Sequence, residues 1–269
     1  MIKKIFRIYK EESYKGIKRR LIIRYWLIKF IICKFFKLQV VNSYYGVKLN
    51  ANYDDATFKF YVTGSYGDDY WKHIEKKLQP FIFLDIGANQ GLYTLCASMN
   101  KYCIACYSFE PVSRTFSLLK NNVMINNYST KCHLINKAIT NKSGFYNISI
   151  KNNHSGVATL HSRNNLISKS NNKIESIEGI SRTELDDLIK NNDKVPLIVK
   201  IDVEGFEMNV IKELLKTQVA KHIMEIYFEV DERWVDYNDI ETLLKLNGYK
   251  FFSKTSTNTK HYDVYASKK

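Results

Sequence analysis

Phe81 to Gly91, FIFLDIGANQG, decides the fold: a short apolar run ends on an acid and breaks into a loop punctuated by glycine. Phe81 to Leu84 fit a buried strand of a parallel sheet, Asp85 lies at its carboxyl end, and Leu92 to Ala97 resume an apolar pattern suited to a helix. Strand, turn and helix make half a βαβ unit. Gly87 and Gly91 allow the backbone to turn tightly and approach a ligand, while the following helix presents free N–H groups to an anion such as a carboxylate. Open α/β sheets bind ligands at that edge.

Glycine spacing separates the two cofactor classes that use such a turn. A dinucleotide site wants G-x-G-x-x-G, but Asn89 and Leu92 occupy the second and third glycine places here. An Asn side chain obstructs a pyrophosphate, yet it can brace the loop through its own backbone and leave room for a smaller zwitterionic group. The pattern therefore favours S-adenosylmethionine over NAD. The plain alternative is a strand-to-helix turn with glycines only for chain reversal. Two further segments weigh against it. Ile104 to Phe109 read as another strand with Glu110 at its end, 19 positions after Gly91, which is room for one helix, a loop and a strand. The Glu110 carboxylate can accept both hydroxyls of a ribose, or cap the helix that begins near Pro111, or do both.

In Ile198 to Glu207, IVKIDVEGFE, an apolar run ends on Asp202 and is followed by Glu204, Gly205 and Glu207. Asp202 and Glu204 alternate toward one side of the exit from a fourth strand, where carboxylates meet a hydroxyl substrate. Methyl transfer from a sulfonium is an in-line displacement, so alignment of the oxygen contributes most and proton removal is secondary. The plain reading, acids decorating a helix N-terminus, suits Glu207 better than Asp202.

DIGANQG, the SFEP around Glu110, KAIT at Lys137 to Thr140, TELDDLI at Thr183 to Ile189 and VKIDVEGFE stand in the order and rough spacing of the FkbM-type methyltransferase family, which residues 54–269 resemble. The resemblance implies a Rossmann-like class I methyltransferase: an α/β fold with a seven-stranded, mostly parallel sheet flanked by helices. It implies S-adenosyl-L-methionine as cofactor and O-methylation of hydroxyls on sugars or polyketide-type molecules. Carried over residue by residue, it sets Asp85, Gly87, Asn89 and Gly91 around the methionine part and Glu110 at the ribose. Asn136 to Ala138, with Asn136 and Ala138 the binding positions, would border the adenine, and Asp202 and Glu204 would lie near the transferred methyl. One departure touches the outer side of the donor. Family members often carry an acid soon after a Gly-x-Tyr, whereas Gly64, Ser65 and Tyr66 here lead to Gly67, Asp68 and Asp69.

With 269 residues, 45% of them apolar, the chain is long enough for one large α/β core. The expected organisation is a basic amphipathic segment over 1–43 and a methyltransferase domain over 44–269. The latter comprises a lead-in hairpin and helix over 44–80 and a catalytic core over 81–269. Tyr44 to Leu49 and Thr57 to Val62 read as the hairpin. Ile223 to Val230 reads as a fifth strand, Ile240 to Leu246 as a helix ended by Asn247-Gly248, and Tyr249 to Phe252 with Tyr262 to Ala266 as the last two strands. A polar, Asn/Ser-rich insertion near 144–182 is expected to lie over the site. Phe145 to Ile150 and Val157 to His161 could pair within it and present His154 and Ser155. His154 is a candidate base or substrate ligand, although an ordinary surface histidine would look the same.

Residues 1–40 hold twelve Lys or Arg against Glu11 and Glu12, which accounts for +10 of the chain's +14. The core carries only about +4, so no polyanion groove is implied and no nucleic acid partner is expected. Ile17, Leu21, Tyr25, Ile28, Ile32 and Phe35 form one helical stripe with basic residues around it. Residues 17–37 are expected either to lie on an anionic membrane or to pack on the protein's own core. They do not span a bilayer, because Arg24, Lys29 and Lys34 interrupt every apolar run. Five cysteines without a paired framework suit a reducing, cytoplasmic setting, with peripheral attachment at the inner face of the membrane. His73, His133, His161, His222 and His261 are scattered without ligand spacing, so no metal site is expected. The reading is an O-methyltransferase acting on a sugar of a surface glycan or its lipid-linked precursor. The rivals are a nucleic-acid methyltransferase and a non-catalytic, membrane-associated binding module that keeps the cofactor fold.

Overall fold

A computed structural model describes residues 2–66, 68–151, 155–156, 172–189, 195–255 and 260–269. The chain divides into two compact units, 1–68 and 69–269.

The first unit opens with helix α1 (Ile2–Phe35), continues through strands β1 (Val40–Asn42) and β2 (Lys48–Asn50), and closes with α2 (Ala56–Thr63). The strands pair antiparallel. The expected pairing of Tyr44 to Leu49 with Thr57 to Val62 does not form: Tyr44 to Gly46 is the turn between β1 and β2, and Thr57 to Val62 is helical. Asp55 decides this: its side chain accepts the Thr57 and Phe58 backbone N–H groups and caps the helix, and Phe58, Tyr61 and Val62 then fall on one buried face. Alternation in TFKFYV imitates a strand, and the cap overrides it. In α1 the apolar stripe points outward. Trp26 and Phe30 turn inward instead, Trp26 edge-on to Tyr44 and Phe30 against Tyr53 and Phe58. Ile17, Leu21, Tyr25, Ile28, Ile32 and Phe35 are exposed, Phe35 at 79%.

The second unit runs α3 (Asp68–Glu75), β3 (Phe81–Ile86), α4 (Leu92–Met99), β4 (Cys103–Phe109), α5 (Ser113–Ile125), β5 (Cys132–Ile135), β6 (Ala138–Ile139), β7 (Gly144–Lys151), β8 (Asn172–Ile180), α6 (Arg182–Leu188), β9 (Leu197–Ile201), α7 (Glu207–Leu215), β10 (Ile223–Asp231), α8 (Tyr237–Leu246), β11 (Phe251–Lys254) and β12 (His261–Ser267). Seven strands form one sheet in the order β11-β12-β10-β9-β3-β4-β5. β10, β9, β3, β4 and β5 run parallel, and β12 is antiparallel to both of its neighbours. Every residue of β3 is buried, as the continuous apolar run requires of a central parallel strand. One face packs Leu84, Ile86, Val199, Ile201, Phe228 and Val230 into the main core. This is the expected seven-stranded, mostly parallel sheet with flanking helices.

The segment near 144–182 departs from the expected loop. β7 pairs antiparallel with β8 from Gly144↔Gly179 to Lys151↔Asn172, so the partner of Phe145 to Ile150 is Lys173 to Glu178. β6 joins β8 in parallel to complete a small sheet of three strands. Val157 to His161 lies outside the described residues. The polar composition of 172–178 hid a strand that buries Ile177 on one face and leaves Ile174 exposed.

Candidate functional site

β3 and β4 lie side by side, with Asp85 opposite Ser108 and Ile86 opposite Phe109, so their carboxyl ends bring the DIGANQG loop beside Glu110. The loop turns on a left-handed Gly87 (φ 74°), where a Cβ would collide with the backbone carbonyl oxygen of Asp202. Asn89 is also left-handed (φ 51°), a conformation Asn tolerates better than most residues. Its Oδ1 accepts the Gln90 N–H at 2.8 Å and the Ser155 hydroxyl at 2.9 Å, the bracing its position called for. Asn122 Nδ2 donates to the Gln90 carbonyl at 2.8 Å and ties the loop to α5.

Glu110 accepts the Asn89 N–H on Oε2 and the Val112 N–H on Oε1, each at 2.9 Å. It therefore caps the approach to α5 and grips the loop at once. Each carboxylate oxygen keeps a second lone pair for a ligand hydroxyl. Burial pushes its pKa up to about 7, against the pull of those two N–H groups. A ligand that donates hydroxyls to it favours the ionised form. Cofactor affinity is accordingly expected to rise as pH passes upward through 7, with a proton released on binding. Calorimetry in two buffers of different ionisation enthalpy checks this. Asn136 Nδ2 donates to the Glu110 carbonyl at 2.8 Å and the Pro111 carbonyl at 3.0 Å, which leaves Ala138 to pair with Gly179 across the small sheet.

Asp85 is wholly buried. Its Oδ2 accepts the Thr94 N–H at 2.9 Å and the Thr94 hydroxyl at 2.6 Å, which pins α4 to the sheet. Its Oδ1 has no hydrogen bond and lies 3.6 Å from the Lys200 ammonium. Lys200 also lies 3.4 Å from Asp202 and donates to the Gly87 carbonyl at 2.8 Å, so one buried cation joins the ends of β3 and β9. Burial alone would lower its pKa, and the Asp202 and Asp85 charges more than reverse that. Sequence reasoning passed over this lysine, although a single Lys inside the apolar run LIVKI was the available signal.

After Lys200 the chain makes a strained turn: Glu204 (φ 51°) and Gly205 (φ 99°) are both left-handed. Glu207, buried beneath it, accepts the Val203 and Gly205 N–H groups at 3.2 Å each. Glu207 thus braces the turn, and burial lifts its pKa to about 7. Asp202 and Glu204 gather with Glu229 of β10, one oxygen from each lying within 4.8 Å of the others. Burial first, and the Asp202 charge second, hold Glu204 and Glu229 above the ordinary carboxylate range. His261 Nε2 lies 2.7 Å from Glu229, and that hydrogen bond lifts the imidazole to about 9. Glu229 and His261 meet across β10 and β12, a pairing that needs the register and is invisible in sequence. Oxygen donors at that spacing suit a hard divalent ion, and a protonated His261 supplies positive charge to the same group. His154 lies outside the described residues.

The Methyltransferase FkbM domain model matches residues 85–251, more than half of the chain. The chain belongs to the FkbM methyltransferase family. It is an S-adenosylmethionine-dependent methyltransferase. No curated protein matches it. Among solved structures, the METTL16 methyltransferase domain is similar at 12% identity over 84% of this chain and 75% of that one, with a TM-score of 0.51. Methyltransferase FkbM from Methylobacillus flagellatus KT is similar at 14% identity over 81% and 56% of the two chains, with a TM-score of 0.46. M. capricolum TrmK bound to S-adenosylhomocysteine gives 12%, 74% and 67%, and 0.41. At such identities the likeness is one of fold. The loop of this FkbM-family chain fits the cofactor on its own terms. A tight cradle admits no side chain at Gly87, and two buried acceptors, Asp85 Oδ1 and Gln90 Oε1, have no hydrogen-bond partner.

Proposed function

We propose that this methyltransferase acts on oxygen, transferring a methyl group to a hydroxyl of a sugar in a surface glycan or its lipid-linked precursor. Asp85, Gly87, Asn89 and Gly91 would hold the amino-acid end of the cofactor, Glu110 its ribose, and Asn136 and Ala138 would border its base. The cofactor supplies an electrophilic methyl on a sulfonium. The observation that carries the reading is the carboxylate group of Asp202, Glu204 and Glu229 at the exit of β9 and β10, next to that loop. Such a group can orient a hydroxyl and take its proton as the oxygen attacks. His154 remains a proposed second base.

Amino-nitrogen methylation of nucleic acid in this fold commonly relies on an Asn/Asp-Pro-Pro-aromatic loop after the fourth strand. Asp202-Val203-Glu204-Gly205 stands there, and the only prolines are Pro80, Pro111 and Pro196. The test is incubation of purified protein with S-adenosylmethionine and a panel of free and lipid-linked glycans, read by mass spectrometry. Gain of a methyl on a glycan is expected, and transfer to RNA or DNA alone would overturn the reading.

The exposed stripe of α1 supports attachment to an anionic membrane surface through residues 17–37, at the cytoplasmic face. Among the described residues no helix is long and apolar enough to cross a bilayer. Ile28 and Ile32 are about half exposed, and Arg20, Arg24, Lys29 and Lys34 are exposed on the same helix. Each such cation adds about 1 kcal/mol near an anionic surface. Full-length protein is expected to co-sediment with phosphatidylglycerol vesicles and to stay in solution with phosphatidylcholine. Ile28→Glu with Ile32→Glu is expected to weaken that binding roughly tenfold or more, since two large apolar groups leave the contact.

A further inference from the structure

Beyond the carboxyl end of β10 lies a concavity of about 420 Å³, formed by the 232–238 segment with Lys254 and Tyr262. We propose that it is the seat of the acceptor, and that it selects an uncharged, hydroxyl-rich ring of the hexopyranose kind. The proposal rests on the O-methyltransferase reading above and adds the residues that choose the substrate.

Position comes first. Open α/β sheets take their ligands outside the carboxyl ends of their strands, and β10 adjoins β9, whose exit carries Asp202 and Glu204. Arg233 links the two places. Its Nε donates to both Asp231 oxygens at 2.9 Å, and the Glu204 carboxylate further favours its charge. The volume falls within the about 300–1,000 Å³ usual for small-molecule sites.

Chemistry decides the class of ligand. Glu232 and Asp236 bring two negative charges to the wall, and Arg233 and Lys254 bring two positive ones. With Arg233 already paired to Asp231, the wall carries no surplus of positive charge, so a polyanion gains nothing and meets two carboxylates, whereas a neutral polyol finds both acceptors and donors. Trp234, half-buried and packed against the main core on one side, also lines the concavity and brings to it an aromatic ring of the kind that stacks on the C–H face of a pyranose. The polar groups are already fixed in place. Tyr262 donates to Glu232 at 2.9 Å, and Lys254 donates to the Tyr262 hydroxyl at 3.2 Å. The Lys254 ammonium lies 4.2 Å from the ring centre of Tyr237 and 4.4 Å from that of Tyr262. A wall ordered before binding loses little entropy when the ligand arrives.

The test is saturation-transfer NMR on the full chain with S-adenosylhomocysteine, using the methyl pyranosides of glucose, mannose, galactose and rhamnose as probes. At least one should bind. Trp234→Ala should weaken it about tenfold, a loss of about 1.4 kcal/mol, with homocysteine-cofactor affinity unchanged. Trp234→Phe should retain most of the binding, which separates loss of the aromatic face from misfolding. Glu232→Gln should weaken it less. The proposal is overturned if no pyranoside binds, if Trp234→Ala binds as the wild type does, or if a short RNA occupies the same residues instead. A glycan methylated with unchanged KM by Trp234→Ala overturns this seat and leaves the O-methylation reading standing. Pyranoside binding lost in Trp234→Ala, without methyl transfer to any hydroxyl, overturns the O-methylation reading and with it the role as acceptor seat, leaving a sugar-binding site.

Discussion

Lys200→Met is expected to destabilise the fold by about 3–5 kcal/mol, the usual cost of deleting one partner of a buried ion pair. The side chain is only 4% exposed, and removing its charge leaves Asp85 and Asp202 facing each other across the ends of β3 and β9. The Gly87 carbonyl loses its donor as well. Met fills much the same volume, so the effect reads charge and hydrogen bonding more than packing. For a chain of this size the melting temperature should fall by roughly 6–15 °C. Calorimetry decides: a shift below about 3 °C would mean that the two carboxylates take up protons at little cost and that Lys200 is not the clasp described here.

Asp202→Asn and Glu204→Gln, made separately, are expected to lower kcat by about 10²–10⁴ while S-adenosylhomocysteine binds within about threefold of wild type. Glu207 supplies the bonds that brace the turn, and Asp202→Asn keeps the side chain's size beside Lys200, whose charge is still met by Asp85. A carboxylate must be ionised to take a proton, and Glu204 and Glu229 are held above the ordinary range. The acid limb of the activity profile should therefore lie above the ordinary carboxylate range, with turnover rising as pH increases. Glu204→Gln removes one member of the group and should move that limb to lower pH. A non-catalytic binding module would show no turnover in the wild type and an unchanged biological effect in both variants.

What was legible in the sequence is what local chemistry dictates. FIFLDIGANQG declares its strand, turn and helix because an apolar run, an acid and two glycines each answer a local demand, and the Asn89 brace follows from the side chain's own reach. Asp85 is legible only in part. It marks the strand end correctly, but its principal hydrogen bonds go to Thr94 nine residues on. Thr57 to Val62 misled because a single cap at Asp55 outweighs alternation, and Lys173 to Glu178 misled because polar residues there cover the exposed face of the middle strand of a small sheet. Lys200, Glu229 and His261 join the site only through strand register, which no periodicity encodes. The α1 stripe was found, but its outward direction depends on Trp26 and Phe30 taking the inward face.

The most direct test of the central claim is titration of S-adenosylhomocysteine into wild type, Glu110→Gln and Gly87→Val. Gln replaces an oxygen with a donor opposite the Asn89 or Val112 N–H, and Val meets the Asp202 carbonyl from a left-handed backbone. Wild type should give saturable heat, Glu110→Gln binding at least about tenfold weaker, and Gly87→Val none. Equal heats from all three proteins would contradict the account, because the cofactor would then bind somewhere other than the turn after β3.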